Sequence, residues 1–159
     1  MKMITKIKDR LSQYFAKKAI EKHGTEIVSP LAAIQKPRSE WKVAFLTTAG
    51  IHLKEEKKFN VKAGDWSVRF IPSSSQHADL TVSHTHYNTK NAQEDVNTVF
   101  PIEALQELSR KGAIGTLAPT FIGMMGYIPR TRKLLKESVP IILKQLKEEE
   151  VDVLLLSPG

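Results

Sequence analysis

Two short apolar runs set what this chain can fold into. Val43-Ala44-Phe45-Leu46 ends in the small-residue stretch Thr47-Thr48-Ala49-Gly50, and Val151 to Leu156 is apolar apart from Asp152. Short runs without alternation fit strands covered on both faces, as in parallel sheets flanked by helices. Between them, Val68-Arg69-Phe70-Ile71 alternates weakly and reads as a second strand. Leu80-Thr81-Val82-Ser83 reads as a third, leading into His84-Thr85-His86. Phe100 to Arg110 predicts a helix: Pro101 suits its first turn, Glu103 its positive end, Arg110 and Lys111 its negative end, and Gly112 the C′ position. Residues 112–129 are Gly- and Met-rich without a clean period. Residues 130–149 return to helix with Leu134, Leu135, Ile142 and Leu146 inward, Pro140 kinking or restarting it and Ser138 as a cap. Strands alternating with helices predict the α/β class. The expectation is a single domain with a largely parallel sheet flanked by helices, truncated after a central strand.

The chain divides on charge. Residues 1–40 carry nine Lys/Arg against four Asp/Glu, whereas residues 41–159 carry fifteen against thirteen. In residues 1–28, Ile4, Ile7, Leu11, Phe15 and Ala19 recur at helical spacing among lysines, with Gly24 as a stop, which predicts a basic amphipathic helix. Residues 29–40 hold Ser29-Pro30 and Lys36-Pro37 and read as a connector. Residues 41–159 form the α/β domain. Most of the 24 cations are Lys and aromatics make up 7%, which argues against a nucleic-acid face rich in Arg and aromatics. No apolar run approaches the roughly 20 residues of a membrane-spanning helix, and the charged N-terminus does not read as a signal peptide. The sequence contains no cysteine, which excludes disulfides, thiolate metal sites and a cysteine nucleophile within these 159 residues. The expected location is the cytoplasm.

Residues with chemistry cluster after the strands. Thr47, Thr48 and His52 follow the first, His84 and His86 close the third, and Ser157 follows the last. Ligands of open α/β sheets bind outside the carboxyl ends of strands. Two histidines two apart on an extended chain point to one face. That suits a metal with Asp95 or His52 as third ligand, general acid–base work or substrate contact near neutral pH, or a hydrogen-bonded structural pair. Asp95 and Asn97 suit either ligand binding or capping of their own backbone. Gly112-Ala113-Ile114-Gly115 and Gly123-Met124-Met125-Gly126 lack phosphate-loop spacing and read as tight turns.

An ordered set of stretches carries a resemblance. These are Ser29-Pro30-Leu31, Val43 to Leu53, Gly64-Asp65-Trp66-Ser67-Val68-Arg69, Asp79 to Tyr87, Asp95 to Pro101, Gly112-Ala113-Ile114-Gly115 and Met125-Gly126-Tyr127-Ile128-Pro129. Together they resemble the selenoprotein B family of glycine/sarcosine/betaine reductase and D-proline reductase, from about residue 29 to residue 159. The resemblance implies a subunit of an amino-acid-reducing complex of anaerobic bacteria. In such complexes a selenolate or thiolate attacks the α-carbon of a small amino acid or methylated amine, and the C–N bond breaks reductively. It implies other reductase subunits as partners, one carrying a pyruvoyl group. It also implies a selenocysteine or cysteine just after Gly159, following a strand like Val151 to Pro158. On the reductase hypothesis, the residues themselves suggest that His84 or His86 orients substrate or protonates the leaving amine and that Arg69 holds the substrate carboxylate, with His52, Asp95 and Asn97 as further contacts. The 159 residues alone are expected to be inactive as a reductase. Two other functions stay open: a non-catalytic module binding a small anion, and a metal-dependent hydrolase built on His84 and His86. Apolar surface on the terminal strand would lead to self-association.

Overall fold

The computed structural model describes Tyr14, Lys17, Lys18, Glu21, residues 32–85 and residues 87–158. The chain divides into two compact units, Met1–Ala33 and Ile34–Gly159. In the first, Tyr14, Lys17, Lys18 and Glu21 are helical, and the Lys18 ammonium sits 5.3 Å from the Tyr14 ring centroid, a pairing that the four-residue step of a helix produces. The apolar stripe from Ile4 to Ala19 and the stop at Gly24 lie outside the described residues.

The second unit is built on β1 (Lys42–Thr47), with Val43, Ala44 and Phe45 buried. On one side β1 pairs in parallel with β5 (Thr116–Leu117) and then with β6 (Thr120–Gly123). Ala118 still donates its N–H to the Val43 carbonyl, 2.8 Å; Pro119 then interrupts the ladder because it has no N–H to give. Antiparallel β3 (Arg69–Pro72) lies outside β6. On the other side β1 pairs in parallel with β7 (Val153–Ser157), from Val43 opposite Val153 to Thr47 opposite Ser157. The strand at Leu80 does not join this sheet. As β4 (Leu80–Val82) it forms a separate antiparallel ribbon with β2 (Ile51–Leu53). The class is therefore α/β with a mostly parallel sheet.

Alternation along the strands divides the core between two faces. Phe45 and Phe121 face one way and meet Phe100; edge-to-face packing puts Phe100 5.6 Å from Phe45 and 5.9 Å from Phe121. Ile71, Leu80, Val82, Val96, Ile102 and Leu105 complete this layer. Helix α1 (Lys90–Glu94) contributes Ala92 to it, and α2 (Ile102–Arg110) contributes Ile102 and Leu105. Helix α2 ends as its sequence predicts. Gly112 turns left-handed at φ 69°, Ala113 N–H reaches the Leu108 carbonyl and Gly112 N–H the Ser109 carbonyl, each at 3.0 Å.

On the opposite face Ile122, Met124 and Ile142 pack with Leu46, Phe70, Leu134 and Leu146. The covering helix runs through α3 (Thr131–Lys133), a π-helical stretch (Leu134–Ser138) and α4 (Val139–Glu148). Pro140 removes a backbone donor, and the widened turn lies just before it. Two expectations are corrected here. Leu135 points to solvent, 66% exposed, because the widened turn rotates it off the inward stripe. Ser138 is not a cap: its backbone is helical, and its buried hydroxyl donates to the Trp66 carbonyl.

The terminal strand also differs from expectation. β7 is paired with β1 alone among the described residues, so it is an edge and not a central strand. Leu155 and Leu156 are 40% and 69% exposed. An apolar run has the same composition whether one or both of its edges are paired, so the pattern alone does not distinguish them.

Candidate functional site at the carboxyl edge of the sheet

Where β1 ends, backbone bonds gather three strand ends. Thr48 N–H donates to the Ser157 carbonyl of β7 at 3.2 Å, and Met124 N–H, just past β6, to the Thr47 carbonyl at 2.9 Å. Gly50 N–H returns to the Met124 carbonyl at 2.7 Å, and Ala49 bridges Met125. Gly50 adopts φ 81°, and a Cβ there would overlap the Ser83 carbonyl oxygen. Only glycine lets the ribbon come this close: Ser83 N–H donates to the Gly50 carbonyl at 2.8 Å. Gly123 approaches the Ile51 carbonyl in the same way, from within strand β6 rather than from the turn its sequence suggests.

This tight crossing delivers His84 to the sheet edge. A Cβ built on Gly126 would lie 3.4 Å from His84 Nε2, 3.4 Å from the Thr48 carbonyl oxygen and 3.6 Å from Thr48 Oγ1. His84, Thr48 and the missing side chain of Gly126 thus share one small space, and Thr48 is bonded directly to the last residue of β7. Tyr87 holds the imidazole from behind. Its ring lies 4.8 Å from that of His84, tilted by 46°, and its hydroxyl donates to the Ala49 carbonyl at 2.9 Å. Burial pushes the Tyr87 phenol above its ordinary pKa, so it stays a protonated donor at neutral pH.

The other sequence-derived candidates are placed differently. His86 lies outside the described residues. His52 is fully buried: one ring nitrogen bonds the Leu53 carbonyl at 2.7 Å, the other the Ser83 hydroxyl at 2.8 Å, and Phe59 packs edge-on at 5.7 Å. Both ring nitrogens are thus engaged, and the side chain lies in the core. Asp95 caps the short 3₁₀ turn Val96–Thr98, accepting from the Asn97 backbone at 2.9 Å and the Asn97 side chain at 3.0 Å, and these bonds hold its carboxyl below the ordinary range. Asn97 in turn accepts the Glu103 N–H at 3.2 Å. Asp95 thus caps the 3₁₀ turn, and Asn97 takes a first-turn N–H of α2.

Arg69 faces Gly123 in register, which puts it at the same end of the sheet. Its guanidinium donates to the Ser67 hydroxyl (2.8 Å) and the Val68 and Lys57 carbonyls (3.1 and 2.9 Å), and stacks on Phe59 at 4.3 Å. It fastens the 57–68 loop and lines a hollow of about 500 Å³ with Trp66 and Asp65. Burial raises the Asp65 pKa, but the Ser67 hydroxyl and the Asn60 and Ser67 amides outweigh it and hold the carboxyl low.

Among the described residues no group of three or more His, Asp or Glu side chains converges as a metal site would need, and no helix is long and apolar enough to cross a membrane. Tyr87 and Gly126 are the members of the cluster that sequence reasoning missed. The only hint was their position inside the stretches Ser83–Tyr87 and Met125–Pro129.

With this geometry in place, comparison with known proteins adds the family. A family model for the glycine/sarcosine/betaine reductase selenoprotein B matches residues 2–158. D-proline reductase subunit gamma of Acetoanaerobium sticklandii is 41% identical over 126 residues, which are 79% of this chain and 52% of that protein. The chain spans about half the length of this curated relative. No solved structure matches it. The chain belongs to the glycine/sarcosine/betaine reductase selenoprotein B family.

Proposed function

We propose that the chain is the part of an amino-acid or amine reductase that offers a proton donor and a shaped backbone edge to the substrate. The reaction class is reductive cleavage of a C–N bond in a substrate of the glycine, betaine, sarcosine or D-proline type. The name of the relative, D-proline reductase subunit gamma, favours a cyclic amino acid within that class. The observation that carries the reading is the juxtaposition of His84 Nε2 with Thr48 above Gly126, at the edge where β7 ends in Ser157.

In this reading His84 donates the proton that lets a primary or secondary amine depart neutral, which lowers the barrier because an amide-like anion is a very poor leaving group; a quaternary nitrogen such as betaine's leaves neutral without it. Tyr87 fixes the imidazole plane while it does so. Gly126 provides the room: any side chain there would meet both His84 and Thr48. Arg69 keeps guanidinium N–H groups beyond its three bonds, and these take the substrate carboxylate. A selenol or thiol in chain that follows Gly159, closing a selenenyl sulfide or disulfide with a second thiol, would supply the two reducing electrons, and a pyruvoyl group on a partner subunit would activate the amine. Both groups fit an edge lined by an imidazole, hydroxyls and a glycine gap. The 159 residues contain no cysteine, so by themselves they are inactive as a reductase. A reducing compartment such as the cytoplasm suits a free selenol or thiol.

The test is in two parts. The nucleotide sequence after the Gly159 codon is expected to show an in-frame TGA or a cysteine codon followed by open coding sequence; TAA or TAG there contradicts the source of the electrons. The 159-residue chain with dithiothreitol is expected to leave glycine, betaine, sarcosine and D-proline untouched, and turnover above blank contradicts the assignment of the redox group.

A further inference from the structure

The β2–β4 ribbon has a second end, remote from His84. There the ladder continues one step as Lys54 N–H donates to the Asp79 carbonyl at 2.9 Å. From His84 back to Leu80 is four residues of extended chain, about 13 Å at the usual rise. A cleft of about 510 Å³ opens at this end, within the size range of small-molecule sites.

Its floor is apolar and closed: Leu80, Ala92 and Val96 are 3%, 2% and 1% exposed. Its walls are two 3₁₀ turns, each fixed by a carboxylate. Asp79 Oδ2 accepts the Gln76 N–H at 2.8 Å in the turn His77–Asp79, and Asp95 caps the turn Val96–Thr98 as described above. Glu103, on the rim, receives the Asn97 side chain at 3.2 Å. These bonds from neutral N–H groups hold the shape of the cleft, and the carboxylates keep their negative charge.

The cations are used differently. Lys54 and His77 both line the cleft, and neither makes a side-chain hydrogen bond or ion pair within hydrogen-bonding distance of another described residue. The positive charge of His77 bears on Asp95 only through space. A preformed hollow with an aliphatic floor and open cationic groups on its rim matches a ligand with a short hydrocarbon body and one anionic head.

We propose that this cleft is a binding site for a short-chain organic carboxylate, with the carboxylate on Lys54 and His77 and the hydrocarbon on Leu80, Ala92 and Val96. The site is independent of the reductase reading, since it shares no residue with the His84 edge.

The experiment is a ¹H–¹⁵N correlation titration of the 159-residue chain at about pH 6. Sodium propionate is the probe, propionamide its neutral counterpart, and sodium chloride holds ionic strength constant. Propionate is expected to give saturating shifts at Leu80, Thr81, Ala92 and Val96, and propionamide not. Loss of one charge-assisted hydrogen bond in Lys54→Met or His77→Gln is expected to weaken propionate about tenfold. Both residues lie on the surface of the cleft, and an otherwise unchanged spectrum shows that each variant folds. His84→Ala is expected to leave the titration as it is. Linear shifts, equal shifts with propionamide, or unchanged affinity in both cleft variants would overturn the site.

Discussion

Where β1 and β7 begin, Asp152 takes the Lys36 ammonium at 2.8 Å and the Lys42 backbone N–H at 2.9 Å. Where the same strands end, the Thr48 N–H meets the Ser157 carbonyl at 3.2 Å, and the neighbours are His84, Tyr87 and Gly126. At the starting end the Asp152 N–H also donates to the Lys42 carbonyl at 3.0 Å, and the opposite charges added there lie close to solvent, an arrangement that adds little stability. The finishing end is fastened by backbone bonds and by glycines that admit no Cβ. The strands there do not depend on side-chain charge to stay together, so the side chains at that edge are set by something other than fastening. The proposed chemistry supplies that second requirement. The ribbon repeats the contrast: its Gly50 end builds the His84 edge, and its Lys54 end opens a cleft.

The largest effect that sharpens this comparison is expected at Gly50. Gly50→Ala combines a left-handed backbone with overlap on the Ser83 carbonyl and is expected to cost at least about 3 kcal/mol in urea unfolding. Gly112→Ala, with φ 69° and open space around its Cβ, is expected to cost only about 1 kcal/mol. Equal losses would mean that the close approach of the ribbon does not hold the finishing end.

Thr47 comes next. Its fully buried hydroxyl accepts the Ala49 N–H at 3.2 Å and sets the turn out of β1. Thr47→Val keeps the shape and leaves that N–H unpaired, an expected loss of about 1–3 kcal/mol in the same assay. Tyr87→Phe removes the bond to the Ala49 carbonyl but keeps the ring against His84, an expected loss of about 1 kcal/mol. In that variant the His84 ring protons should keep their chemical shifts, whereas Tyr87→Leu, which removes the ring 4.8 Å away, should move them. Shifts indifferent to both would remove Tyr87 from the support of His84.

The smallest effect is expected at the starting end. Hydrogen bonding from Lys36 holds the Asp152 carboxyl below its ordinary pKa, and the same bond raises Lys36. A lowered carboxyl contributes stability above its unfolded pKa and loses it as pH falls through the folded value. A raised ammonium contributes below its unfolded pKa and loses it as pH rises through the folded value. Asp152→Asn should therefore lower the melting temperature slightly near neutral pH and converge with the parent at strongly acid pH. A gap that persists in acid would mean that Asp152 acts through the Lys42 N–H and not through charge.

Much of this architecture was readable because it follows local rules. β1, β3, β4 and the helix from Ile102 to Arg110 announce themselves by apolar runs, a first-turn acid and a C′ glycine. Three strands did not. β2 has three residues and exists because Gly50 and Ser83 pair across the chain. β5 and β6 are one strand interrupted at Pro119 and set among glycines and methionines, which mask any period. Edge status was equally hidden in β7, since pairing is a property of neighbours. At the site, His84 and Ser157 were visible as polar residues after strands. Tyr87 was not, because its partner Ala49 lies 38 residues away. The core position of His52 was hidden because burial cannot be seen in a lone histidine, and Asp95 and Asn97 make the cap bonds that one of their two readings allowed.

The central claim is that His84 at the carboxyl edge is the proton donor of a C–N reductase. The most direct measurement is steady-state reduction of D-proline, glycine, betaine and sarcosine by the chain continued through its selenol or thiol and assembled with its partner subunits. His84→Ala and Thr85→Ala are compared with the parent. The account predicts that His84→Ala lowers kcat by about 10²–10⁴-fold on whichever of D-proline, glycine and sarcosine is turned over, with KM little changed, while neighbouring Thr85→Ala stays within a few fold and betaine, whose quaternary nitrogen needs no proton to leave, is spared. Equal kcat in the parent and His84→Ala enzymes on a primary- or secondary-amine substrate would contradict it.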